Sequence, residues 1–151
     1  MSSAKPPLAK LAALANADDT EALFYEALQS GDLDRLMGVW SDEEEVSCIH
    51  PGGPRVLGLH AVRASFEAMF EQGPVDARPE QVRRLVFADS AVHSVLERVA
   101  VVTDQGPGTV WVWATNVYVK STQGWKLVSH HASPGLLGPA PAQQDAGNTL
   151  H

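Results

Sequence analysis

The sequence predicts an α+β fold in which a long, curved antiparallel sheet packs on three N-terminal helices. Three observations predict it. Apolar residues recur at helical spacing up to about residue 72, and after Gly73-Pro74 the period changes to 2 and stays there. The two kinds of segment are also segregated along the chain rather than alternating, which separates α+β from α/β. With so few helices, only one face of the sheet can be covered by them.

Asp18, three residues before Glu21, opens the first helix in a capping-box pattern, and Gly31 closes it. That helix carries Phe24, Ala27 and Leu28 on one face. Asp32 caps a second helix whose Leu33, Leu36, Met37 and Trp40 fall at i, i+3, i+4 and i+7. The acidic run Asp42 to Glu45 reads as a solvated loop. Val46 to His50 alternates as a short strand, ended by Pro51-Gly52-Gly53-Pro54. A third helix covers Leu59 to Gln72, with Val62, Phe66, Met69 and Phe70 in its stripe. Four strands follow: Val82 to Phe87, Ala91 to Thr103, Thr109 to Lys120 and Trp125 to Ser133. Ser121 to Gly124 forms the loop of the last hairpin. Residues 1–17 and 135–151 read as flexible ends around a domain at 18–134, with a weak helix at 8–15.

Composition narrows the function classes. A chain of 151 residues is the size of one domain. Eleven Lys plus Arg against eighteen Asp plus Glu leaves a net charge of −7, which opposes a surface that tracks phosphates. No apolar run approaches the roughly 18 residues of a membrane span, and Met1 to Pro7 lacks a secretory leader's apolar stretch. The single cysteine, Cys48, cannot bridge internally. The expectation is a cytoplasmic domain with no nucleic-acid or membrane partner and no cofactor.

The last hairpin allows side chains to be assigned to faces. With Lys120 opposite Trp125, Asn116 lies opposite Ser129 and Ala114 opposite His131. One face then carries Val112, Ala114, Asn116 and Tyr118 with Leu127 and His131. The other carries Trp111 and Trp113. Both faces are too apolar for water, which predicts a homodimer packed through Trp111 and Trp113. The inner face mixes small, polar and aromatic residues, as a pocket wall does. It predicts a site for a small, largely apolar molecule, lined by Trp40, Cys48, Phe66, Phe70, Asn116 and His131, with His50 beside Cys48. A slip of one residue would exchange His131 for His130.

These residues form a pattern. Phe24 to Asp34 (FYEALQSGDLD) followed by Trp40-Ser41-Asp42 resembles the opening of the nuclear transport factor 2-like superfamily. Cys48-Ile49-His50-Pro51-Gly52-Gly53 with Gly58, and Trp125 to Ser133 (WKLVSHHAS), resemble its SnoaL-like branch. That branch is similar to ketosteroid isomerase and to the association domain of calcium/calmodulin-dependent kinase II. The resemblance covers about residues 18–134. It implies a cone-shaped, cystatin-like roll opening on a pocket, and a dimer joined through sheets. Aligned on Gly31-Asp32-Leu33-Asp34, the isomerase's tyrosine falls at Phe24 and its base at Cys48, and neither has the required group.

Fold leaves the chemistry open. Histidine exchanges protons near neutral pH, so His50 and His131 are the candidate acid and base for cofactor-independent isomerisation, dehydration or hydrolysis, with Asn116 orienting a substrate oxygen. Against this stands the reading of both as buried, neutral and hydrogen-bonded. Cys48 reads as a core residue, since activated thiols sit in electropositive places. The histidine spacing suits no metal: His130 and His131 point opposite ways along a strand. The remaining alternative is an association module.

Overall fold

In the computed structural model, which describes residues 14–141, the first helix begins two residues earlier than its capping-box pattern suggests. Asn16 is the N-cap, its side-chain oxygen accepting the Asp19 N–H at 2.8 Å. Helix α1 then spans Ala17–Ser30 and ends at Gly31, whose φ of 67° is the left-handed conformation that favours glycine. Asp32 caps α2 (Leu33–Met37), as its position predicts. This helix stops short of Trp40. Residues 39–41 run instead alongside β6, with the Leu127 N–H bonded to Val39 O and the Ser41 N–H to Leu127 O. Helix α3 spans Leu59–Phe70 and buries Val62 and Phe66.

The strands are β1 (Ser47–Ile49), β2 (Arg55–Leu57), β3 (Ala77–Val86), β4 (Ser90–Thr103), β5 (Gly106–Ser121) and β6 (Gly124–Leu137). They form one six-stranded curved sheet in the order β2-β1-β6-β5-β4-β3. One pairing corrects the expected antiparallel sheet. Strand β2 pairs with β1 across the turn at residues 50–54, and β1 runs parallel to β6. The sheet is therefore mixed. All other neighbouring pairs are antiparallel.

Both flanking segments hold more order than expected within the described residues. Leu14 is buried, and its carbonyl accepts the Trp125 N–H at 2.8 Å. At the other end β6 continues past Pro134 to Leu137, pairing Leu137 with Val110. The chain passes close to Trp111 here: a Cβ on Gly135 would run into Trp111 O, so only glycine fits. Trp111 in turn donates its indole N–H to Gly138 O. Most of the predicted helix at 8–15 and the end of the tail lie outside the described residues.

One irregularity decides the site. Lys120 pairs with Trp125 as expected, and Tyr118 with Leu127, but the next pair is Val117 with Ser129. Val128 is thus the extra residue of a β-bulge, and the side chains of β6 from Ser129 to Pro134 change face, up to a second register shift before Leu137. His130 turns inward, opposite Asn116, and is buried; His131 turns outward and is exposed. The placement of His131 on the inner face is thereby corrected.

Candidate functional site

Period 2 places Ala91, His93, Val95 and Glu97 of β4 on the buried face, and Val112, Ala114, Asn116 and Tyr118 of β5 beside them. Glu21, Phe24, Tyr25 and Leu28 are spaced i, i+3, i+4, i+7, so α1 lays them against this surface. The result is a buried polar network inside an apolar core.

Two carboxyl groups anchor its ends. Glu21 Oε2 accepts from the Tyr118 hydroxyl at 2.7 Å and from Asn116 Nδ2 at 3.2 Å. His93 Nδ1 also lies 3.0 Å from it, but the ring is out of line for a hydrogen bond, and both His93 nitrogens are without one. Glu97 Oε2 accepts from the Tyr25 hydroxyl at 2.8 Å, and Tyr25 itself accepts from Asn116 Nδ2 at 3.0 Å. Asn116 joins the two ends.

Because its amide group donates to Glu21 and Tyr25, Asn116 turns its oxygen to His130 Nδ1 at 2.5 Å. Nδ1 therefore carries the proton, and Nε2 is left as an acceptor. His50 is fixed similarly. Ser65 gives its one hydroxyl proton to Val62 O at 2.7 Å, so it accepts from His50 Nε2 at 3.0 Å. Nδ1 of His50 remains an acceptor.

Burial sets the charges. It lowers His130 to about 3, with His50 and His131 adding to the effect, and it lowers His50 as well. Both imidazoles are neutral at pH 7. Burial raises the Glu97 carboxyl to about 7; the Tyr25 hydrogen bond opposes this, and the Glu21 charge adds to it. The Cys48 thiol is pushed up to about 12 by burial and by Glu97, which makes it unreactive.

Glu97, His50 and His130 share a cavity of about 230 Å³. The rest of its wall is apolar, including Leu28, Phe66, Met69, Val112 and the exposed Pro51. Among the described residues no Lys or Arg lines it.

The residues singled out from the sequence separate into three groups. His50 and Phe66 line the cavity, and Asn116 lies behind it, orienting His130. Trp40 and Cys48 are core residues outside the lining, Trp40 with an unpartnered indole N–H; Phe70 packs against Phe66 with ring centres 6.4 Å apart. His131 is on the opposite face. Of the proposed interface pair, Trp111 is 6% exposed within its own chain and Trp113 43%. Glu97 and Tyr25 were not among the predicted site residues, and His130 was named only as the residue that a one-residue slip would exchange for His131. Their signal was present for Glu97: a charged residue at an inward position of a valine-rich strand has to find a partner or a cavity.

Among the described residues, no group of three or more His, Cys, Asp or Glu is placed to hold a metal ion. No helix among them is long and apolar enough to cross a membrane.

A model of the SnoaL-like domain matches residues 18–136. The chain belongs to the SnoaL-like family. This SnoaL-like chain, with its nuclear transport factor 2-like fold, is similar to several solved structures. One is a candidate calcium/calmodulin-dependent protein kinase type II association domain from Thiobacillus denitrificans. It is 33% identical with a TM-score of 0.73, over 80% of this chain and 96% of that one. A candidate dehydratase of the nuclear transport factor 2-like family from Streptomyces avermitilis is 28% identical, with a TM-score of 0.70, over 86% and 97%. The hub of the same kinase type from S. rosetta is 28% identical, with a TM-score of 0.62, over 78% and 92%. No curated protein matches this SnoaL-like chain in sequence.

Proposed function

We propose that the protein binds a small, largely apolar molecule in the cavity between α1, α3 and the sheet. One observation carries this reading: Glu97, a buried carboxyl, opens onto an apolar cavity together with two neutral imidazoles. A purely structural carboxyl is surrounded by donors, whereas Glu97 has one among the described residues. Ligand sites combine an apolar wall with a few convergent polar groups in this way. Native mass spectrometry of the purified protein tests it. A bound species of about the size of a single substituted ring, displaced when Met69 is enlarged to Trp, is the expected result. Unliganded protein whose melting temperature no small apolar compound raises would overturn the reading.

A second reading is cofactor-independent proton transfer in the same cavity. What favours it is the Glu97 carboxyl near 7, which can hold or release a proton at neutral pH, beside His50 and His130 as acceptors. The resemblance to a candidate dehydratase points the same way. Incubating the extracted molecule with fresh protein separates the readings. An unchanged molecule indicates a binder; a rearranged or dehydrated product, absent with Glu97→Gln, indicates an enzyme.

The exposed Trp113 and the likeness to proteins described as an association domain and a hub support self-association. The expected species at micromolar concentration is a dimer or larger, converted to monomer by Trp113→Asp. Sedimentation of the unaltered chain as a monomer would rule this out.

A further inference from the structure

With Glu97 ionised, the hydrogen-bonding capacity that the cavity leaves unused is all of one kind. His130 spends its N–H on Asn116, His50 spends its N–H on Ser65, and Tyr25 spends its hydroxyl on Glu97. What remains on these three lining residues is Nε2 of His130, Nδ1 of His50 and Oε1 of Glu97, for which no partner is found among the described residues. These are three acceptors, one of them on a carboxyl group. A carbonyl ligand would find no donor from the two imidazoles or Tyr25, and one from Glu97 only where that carboxyl is protonated, below about pH 7. An anionic ligand would meet Glu97 with no Lys or Arg in the wall to offset it.

Resting on the proposal that this cavity binds a small molecule, we infer that its ligand is a small hydrophobic amine, bound as the ammonium with its N–H groups on Glu97 and the two imidazole acceptors. An ammonium supplies up to three donors and no acceptor, and its charge complements the carboxylate. Phe66, whose ring meets His50 edge-on at 4.8 Å, adds an aromatic surface at the same end of the wall. The volume of about 230 Å³ suits one ring with a short substituent. An engineered apolar cavity of roughly 150 Å³ already takes benzene.

The pH dependence follows from the groups around Glu97. They are Glu21 and Tyr25 on α1, Cys48 on β1, His50 after it, His93 on β4 itself and His130 on β6; none is Lys or Arg. Below about pH 7 Glu97 is protonated, and binding an ammonium releases that proton to solvent. Amine affinity therefore rises between pH 6 and 8, where an alkyl amine stays protonated, as lysine does to about 10.4.

Four probes that share a ring and differ in the head group test the inference: benzylamine, benzyl alcohol, benzoate and toluene, each titrated by NMR into the unaltered protein at pH 6 and pH 8. The expected result is benzylamine at least tenfold tighter than benzyl alcohol at pH 8. Benzoate should be the weakest, and only the amine should gain affinity with pH. In folded Glu97→Gln the preference for amine over alcohol should fall at least tenfold. Toluene, alcohol or benzoate binding as tightly as the amine would overturn the amine assignment while leaving the cavity a binding site. Failure of all four at millimolar concentration would remove the binding site itself, and the assignment with it.

Discussion

Glu21 and Glu97 are both buried carboxyl groups, 4% and 6% exposed, and they sit at opposite ends of one Tyr25–Asn116 bridge. Glu21 is approached by Tyr118, Asn116 and His93 and faces protein on every side described. Glu97 has Tyr25 alone and faces a cavity. The same functional group thus serves as a structural anchor where donors surround it and as a candidate site where they do not. Burial alone does not separate the two roles; the number of satisfied lone pairs does.

The largest expected effect breaks the anchored end. Glu21→Ala leaves the Tyr118 hydroxyl and an Asn116 donor buried without an acceptor, and should cost about 3–5 kcal/mol, read from urea unfolding at pH 7. A loss below about 1 kcal/mol would show that Glu21 is no more structural than Glu97. The open end should respond to pH instead. The folded-state value of Glu97, about 7, lies above its ordinary 4.5. Its stabilising contribution is therefore complete below 4.5 and lost as pH rises through 7. At 1.36 kcal/mol per unit this is about 3 kcal/mol. His130 works in the opposite direction, losing stability as pH falls from 6.5 toward 3. The clean readout is thus the difference between the unaltered protein and Glu97→Gln, measured at pH 5 and pH 8. Parallel stability curves would contradict the assignment. The smallest effect concerns the bulge. His131→Ala, on the outer face, should change stability by under about 0.5 kcal/mol and leave ligand binding unaltered, whereas His130→Ala should impair both.

How far the sequence could be read depended on how local each determinant is. The caps at Asp32 and Gly31 follow from two or three neighbouring residues. So does the Ser121–Gly124 hairpin that sets Lys120 against Trp125. The inward row Val112, Ala114, Asn116, Tyr118 follows from alternation within one strand. The parallel partner of β1 was not legible, because a strand of three residues carries no record of which edge it joins. Trp40 was read as helical from its spacing, but residues 39–41 gain more by bonding to Leu127, 88 or so residues away in the chain, than α2 gains from another turn.

The chain by itself determined the α+β order, the SnoaL-like pattern and which half of each strand is apolar, since these depend on short-range periodicity and composition. The tertiary structure alone decided which histidine enters the site. Alternation is a local rule with a period of 2, and one extra residue at Val128 reverses it from Ser129 to Pro134, the stretch that holds both histidines. The same holds for Glu97. Its place on an inward position is written in the strand, but whether that position meets a ring of donors or an open cavity depends on where α1 and α3 come to rest against the sheet.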